Sequence, residues 1–196
     1  MRKPIVIASN NTHKTAEIAE FFALYEQPVV NYRELHAQIT FPKETTDNMV
    51  ENVKMKASTI HALLPNEMIL ADDSALFVPA LPEHFGVTTM REFKAHALKT
   101  DAEINQYVLD MVDTVTDRSG YLQSDFYMVL PDGQILTTQA KGGVKIANSP
   151  RGANGLDAIV ETETGATLGE MPITQRVNYA ARGRAVQTIM KALNKD

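Results

Sequence analysis

The stretch PIVIASNNTHKTAE, residues 4–17, passes from an unbroken apolar run through small polar residues into a segment where Ile18, Phe21, Phe22 and Tyr25 recur at three-to-four spacing. A short apolar run closed by turn residues is a buried-strand pattern, and three-to-four spacing is one face of a helix. Strand, polar turn, helix is therefore the opening unit, and the chain goes on alternating. From about Asp47, Val50, Val53, Ala57, Ile60 and Leu64 trace a second helical face that Pro65 stops. EMILADD (67–73) is a central strand that ends, by this reading, in two acids where the chain turns. Thr100-Asp101-Ala102-Glu103 is a capping-box signature ahead of Ile104, Tyr107, Val108, Met111 and Val112; this helix shows structure and no chemistry. YLQSDFYMVL (121–130) and QILTTQAKG (134–142) flank Pro131-Asp132-Gly133, a hairpin signal. A last helical face carries Ala185, Val186, Ile189, Met190 and Leu193. Alternating strands and helices with a hairpin in the second half predict an α/β fold, a mixed twisted central sheet flanked by helices, as a single domain over 1–196.

Composition narrows the function classes. There is no cysteine, so thiolate metal sites, disulfides and cysteine nucleophiles are excluded, and any metal must be held by oxygen or imidazole. A net charge of −5 argues against a general nucleic-acid binder, which needs a basic footprint. No stretch approaches the roughly 20 apolar residues of a spanning helix, and the apolar run after MRKP is too brief for a secretory leader, so the expectation is a cytoplasmic protein with no membrane role.

Three clusters could carry chemistry. In SNNTHK, small polar residues leave a strand and Lys14 arrives as a helix starts; free N–H groups, the helix dipole and a lysine make an anion site, although Asn11 or Thr12 acting only as a cap explains the same residues. It is not a Walker loop, since the glycines and the Gly-Lys-Ser/Thr ending are missing. In ILADDSALFV an apolar strand delivers Asp72 and Asp73 side by side. Strand side chains alternate in direction, so two cooperating carboxylates require a turn there; a hard cation would offset their repulsion, and one could deprotonate a water. Glu44 is a plausible third acid, and a capped turn with solvated aspartates is the plain alternative. On the second helix Asn52 and Lys56 share a face opposite the apolar stripe, where Lys56 could reach a cleft or simply meet solvent. PRGANGLDA (150–158) is a loop whose glycines allow close backbone approach to a ligand. Arg176, Arg182 and Arg184 gather positive charge near a helix start, where the dipole disfavours it, so an anion should compensate them. The five histidines have no metal-ligand spacing, and only His13 lies in a polar cluster.

Taken in order, SNNTHKTAE, KETTDNMVENVKMKA, ILADDSALFVPAL, PRGANGLDAIV and TGATLGEM followed by RGRA resemble the inosine triphosphate pyrophosphatase family, over about residues 5–193. The resemblance implies an elongated two-lobed α/β fold with a central cleft, dimeric, which hydrolyses a nucleoside triphosphate to the monophosphate and pyrophosphate with magnesium, or manganese in its place. By the same resemblance Ser9, Asn10, Asn11, Thr12, His13 and Lys14 form the phosphate turn and Glu44, Asp72 and Asp73 bind the metal. Asp73 is the candidate base, Ser74 touches the phosphates, and Lys56 and Arg176 are phosphate-binding cations. Asn154, Gly155, Leu156, Asp157, Ala181 and Arg182 line the base, with Arg182 reading a 6-oxo edge.

The departures gather at the base. Relatives read Gly-Phe-Gly-Tyr-Asp-Pro where this chain has Ala153-Asn154-Gly155-Leu156-Asp157-Ala158, so Asn154 stands in place of a stacking aromatic. Base stacking is worth about 1–3 kcal/mol. Ala180-Ala181 replaces a Ser-His step, and Ala75 replaces a glycine; Tyr179 or Phe126 is available as a substitute ring. Phosphate and metal groups are retained while base-reading groups change. The expectation is a nucleoside triphosphate pyrophosphatase acting on inosine, deoxyinosine or xanthosine triphosphate; the alternative is a catalytically weak nucleotide-binding protein on the same scaffold.

Overall fold

The computed structural model describes residues 2–152 and 155–194. The opening unit is β1 (Ile5–Ile7), α1 (Thr12–Ala23) and β2 (Val29–Asn31), followed by α2 (Met49–Leu63), β3 (Met68–Phe77), α3 (Thr89–Ala95) and α4 (Asp101–Val112). Then come β4 (Tyr121–Val129), β5 (Ile135–Gly142), β6 (Lys145–Ile146), β7 (Val160–Glu161), α5 (Ile173–Arg176) and α6 (Ala181–Leu193). The sheet order is β2-β1-β3-β4-β5, with β6 and β7 forming a separate antiparallel pair. β1 runs parallel to both neighbours, Val6 pairing with Val30 and with Ile69. β4 and β5 are joined by a tight turn in which Leu130 N–H donates to Gln134 and Gly133 N–H to Leu130 at 2.9 Å each, too short a link for a parallel crossover. The sheet is mixed, and the α/β expectation holds, hairpin included.

The chain divides into two compact units, the first comprising Met1–Asp73, Ser124–Ala140 and Ala185–Asp196, the second Ser74–Gln123 and Lys141–Arg184. In the first, strand alternation puts Val6, Ala8, Ile69, Ala71, Tyr127 and Val129 on one sheet face, where they pack with Val53, Ala57 and Ile60 of α2. Helix α2 is offset from its sequence reading: Asn48 caps it, accepting from Glu51 N–H at 3.1 Å. Met49 is buried while Val50 is 48% exposed. Two further expectations are corrected. Asn52 does not sit opposite the apolar stripe but is buried beside it, 1% exposed. And β3 does not end at the two acids; it continues to Phe77.

In the second unit, rings of Phe85, Phe93 and Tyr107 meet with centroids 6.2–6.3 Å apart. They surround the Glu92 carboxylate, which accepts from Tyr107 OH at 2.8 Å, from Phe85 N–H at 2.6 Å, and pairs with His84 Nδ1 at 2.8 Å. Phe85 adopts a left-handed conformation, φ +64°, which a non-glycine residue holds only when its surroundings enforce it. Partial burial alone would raise the Glu92 carboxyl, but the bonds from Phe85, His84 and Tyr107 outweigh it and hold it below its ordinary 4.5. Tyr107 is pushed up to about 12 by burial and by the carboxylate it donates to, so it remains a donor. A carboxyl depressed in the folded state adds stability above its unfolded pKa and loses it as pH falls through the folded value. Thermal unfolding should therefore show wild-type stability declining below pH 4.5 more steeply than that of Glu92→Gln; parallel profiles would contradict this.

Candidate active site

In the first unit the polar turn after β1 is built before any ligand arrives. Ser9 Oγ accepts from Asn11 N–H at 3.1 Å, Asn11 Oδ1 caps α1 by accepting from Lys14 N–H at 3.0 Å, and Asn31 Nδ2 donates to Ser9 C=O at 2.9 Å. Asn10 is held by Tyr32 OH and donates to Ile39 C=O. Asn10 to His13 are exposed, and the N–H groups of the first helical turn have no intrahelical acceptor. The capping role and the anion-site reading are thus compatible: the cap takes the Lys14 N–H and leaves those of Thr12 and His13, the first two helical residues, without an intrahelical acceptor.

Because β3 stays extended, its two acids leave on opposite faces. Asp72, whose side chain is fully buried, meets Lys14 Nζ at 2.8 Å, and the same ammonium donates to the Asp72 carbonyl at 3.0 Å. Asp73 continues the Ile69–Ala71 face covered by α2, where Asn52 Nδ2 donates to its Oδ2 at 3.3 Å. Asn52 is itself oriented by Thr45, whose N–H donates to its Oδ1 at 2.8 Å. Lys56, on α2, pairs with Glu44. Burial pushes the Asp73 carboxyl above its ordinary range, more than Lys14, Lys56 and the Asn52 bond pull it down, and the Asp72 charge adds to the rise. A half-buried carboxylate with raised proton affinity, flanked by two ammonium groups, is equipped to take a proton from water beside an anionic substrate. Thr45 carries no signal in the sequence, and Asn52, read there only as sharing a face with Lys56, could have been found as a polar residue adjacent to Val53 in an apolar stripe.

Glu44, Asp72 and Asp73 present oxygen donors, the type hard divalent cations take. Among the described residues no three acidic or imidazole side chains form a ready metal-binding group. A cage needing six to eight protein oxygens does not fit, and because Asp72 and Asp73 leave β3 on opposite faces only one of the pair can join Glu44 at a single cation.

The second unit holds the remaining predicted residues. Ser74 follows Asp73 in β3. Gly155, Leu156 and Asp157 lie in a short 3-10 turn, Gly155–Ala158, and Asp157 Oδ2 stands 3.6 Å from Arg176 Nη1, both side chains largely buried. Asn154 lies outside the described residues. Gly152 uses its freedom (φ +73°) for packing rather than for a ligand, since an added Cβ would fall 2.1 Å from Gly169 O. Ala181 opens α6 and is buried, with Arg182 half-buried next to it. Arg184, its side chain 38% exposed, donates to the carbonyls of Asn178 at 2.7 Å and Lys141 at 2.8 Å. Phe126 is 1% exposed and committed to the core, so it is not a substitute ring, whereas Tyr179 is half-buried.

A family model described as the Ham1 family matches residues 5–192. The chain belongs to the Ham1 family. The resemblance carried by SNNTHK and ADDS is thereby borne out. Ham1 relatives include a protein of Limosilactobacillus reuteri named dihydroneopterin triphosphate diphosphatase, 33% identical over all of both chains. A dITP/XTP pyrophosphatase of Streptococcus pyogenes serotype M6 is 32% identical over 95% of this chain, which spans 58% of that relative's length. Among solved structures, the HAM1 protein of Coxiella burnetii superimposes with a TM-score of 0.79 at 28% identity over the whole of both chains. The Staphylococcus aureus Ham1 protein gives 0.78 at 26% identity over 98% of each chain.

Proposed function

We infer that this Ham1 protein is a nucleoside triphosphate pyrophosphatase: it hydrolyses a triphosphate between the α- and β-phosphorus, releasing pyrophosphate and a monophosphate. The observation that carries this is Asp73, extended from β3 beneath α2, oriented by Asn52 and raised in proton affinity between Lys14 and Lys56. Asp73 takes a proton from a water whose oxygen bonds to the α-phosphorus; the α–β bridging bond breaks and its electron pair leaves on pyrophosphate. Ser9 to Lys14 and Lys56 bind the phosphates and offset their charge, which lowers the barrier where charge develops. Magnesium, with manganese as its substitute, belongs to this reading: Glu44 and Asp73 would hold it, Asp72 being turned to the opposite face in its ion pair with Lys14, and it would polarise the phosphoryl oxygens. A cytoplasmic homodimer completes it; no helix among the described residues is long and apolar enough to cross a membrane.

For the heterocycle, we favour a reduced pterin, with hypoxanthine or xanthine second. The relative named for dihydroneopterin triphosphate matches end to end, whereas the dITP/XTP relatives are longer chains. The altered base residues, Asn154 and Ala180-Ala181, support a ring other than the purine the family motif reads. Both heterocycles carry a carbonyl beside a ring N–H, which suits Arg182 as donor and Asp157 as acceptor. The test is pyrophosphate release from dihydroneopterin triphosphate, ITP, dITP, XTP, ATP and CTP with magnesium or manganese. The oxo heterocycles should exceed ATP and CTP in kcat/KM by about tenfold or more, the pterin leading. Release of orthophosphate instead, or a preference for CTP, would overturn the assignment.

A further inference from the structure

Helix α4 carries no chemistry in its sequence pattern, yet two of its side chains grip the turn that would face the base. Asp101 Oδ2 accepts from Gly155 N–H at 3.1 Å, and Asn105 Nδ2 donates to Gly155 C=O at 3.1 Å. The two residues stand four apart, on one face of α4. Together they take both backbone groups of a single residue, fixed in the left-handed region at φ +50°. A carbonyl can only accept, so the bond to Gly155 sets which way the Asn105 amide points. The consequence is costly: Asn105 is 4% exposed, and its Oδ1 is left buried with no hydrogen-bond partner among the described residues. A buried acceptor without a donor loses its hydration for nothing, a penalty that an apolar side chain of similar size does not carry. An amide kept under that penalty for one bond to a loop is a poor stabiliser and an effective positioner.

What it positions follows along the turn. Gly155 begins the 3-10 turn that bears Asp157, and Asp157 meets Arg176 at 3.6 Å. The far end of the turn is secured separately, by Arg151 N–H to Ala158 C=O at 2.8 Å and Ile159 N–H to Leu156 C=O at 3.1 Å. The start depends on α4. We propose that Asp101 and Asn105 are positioning residues that set the Gly155–Asp157 turn and, through it, the enzyme's discrimination between heterocycles, without taking part in the phosphate chemistry. The proposal rests on the reading that this turn faces the base.

The decisive variant is Asn105→Leu, assayed for turnover of ITP and ATP and for thermal unfolding, beside Asp101→Ala and Asp101→Asn. Asn105→Leu should unfold at or above the wild-type temperature, since it loses one bond and sheds the buried orphan. Its KM for ITP should rise about tenfold, with kcat within twofold and the ITP-to-ATP preference reduced by a similar factor. Asp101→Ala should show the same shift in KM and preference, and Asp101→Asn, which keeps an oxygen acceptor, should restore both. Retained discrimination in Asn105→Leu overturns the proposal. So does an equal loss of kcat on both substrates with a lower unfolding temperature, the mark of a purely structural role. If wild-type protein turns over neither of these nor dihydroneopterin triphosphate, the hydrolase reading fails, and the clamp is judged by calorimetric binding of ITP and ATP; equal affinities in wild type and Asn105→Leu then overturn it as well.

Discussion

Asp73→Asn is expected to lower kcat about a thousandfold while the protein unfolds at the same or a higher temperature. The loss is that of a general base, typically worth about 10²–10⁴ in rate. The retained stability follows from the direction of the Asp73 shift. Burial raises its folded pKa above the ordinary 3.8. A carboxyl shifted that way favours the fold below its unfolded pKa and loses that contribution as pH rises through the folded value, so at neutral pH its charge is a burden. Asparagine keeps an oxygen for the Asn52 amide and drops the charge. A rise in stability with collapse of turnover would mark a site tuned for chemistry rather than for folding. The measurements are pyrophosphate release at saturating substrate and a thermal melt. Turnover within a few-fold of wild type would remove Asp73 from the mechanism and with it the proposed hydrolysis route.

The second large effect concerns Lys14 and separates two jobs that one ammonium performs. Its contact with Asp72 is a buried ion pair: the carboxylate is fully buried and the lysine side chain 16% exposed. Removing one member of such a pair leaves the other charge in a poor environment, at a cost of about 3–5 kcal/mol. Lys14→Met should therefore lower the melting temperature by roughly 6–20 °C, at about 2–4 °C per kcal/mol for a chain of this size, and raise the KM for any triphosphate. Adding Asp72→Asn neutralises the stranded charge. The double variant should recover most of the stability and none of the substrate affinity. If stability does not recover, the pair is not what Lys14 stabilises; if affinity recovers, Lys14 does not bind phosphate.

Much of the fold could be read from the sequence where burial is periodic or a signal is local. Ile18, Phe21 and Phe22 are all fully buried on α1, and Thr100 and Glu103 form the capping box their spacing suggests. The hairpin turn at Pro131-Asp132-Gly133 was visible for an equally local reason, since Gly133 at φ +86° accepts a conformation other residues avoid. Periodicity fails where polar groups are buried on purpose. Asn52 looks solvent-facing in a hydropathy pattern and is 1% exposed, because its partners, Thr45 in the loop before α2 and Asp73 in β3, lie outside its helix. Two adjacent acids look like a strand end, yet β3 continues, since Lys14 compensates one and Asn52 holds the other. Helix α3 is seven residues long, and the network at its foot depends on Phe85 holding a positive φ that no local rule would assign to phenylalanine. The grip of α4 on Gly155 spans 50 and 54 residues of sequence, beyond any window that reads neighbours.

The uninterrupted course of β3 through Asp72 and Asp73 makes the site a matter of parity. Its register against β1, Ile5 to Met68 and Ile7 to Leu70, is fixed by buried side chains on both faces. Deleting or inserting a single residue between Leu70 and Asp73 would exchange the two acids, sending the ion-pair partner toward α2 and the base toward α1. Variation in this strand is therefore quantised: it can lengthen or shorten by two residues and keep its roles, but by one it trades them.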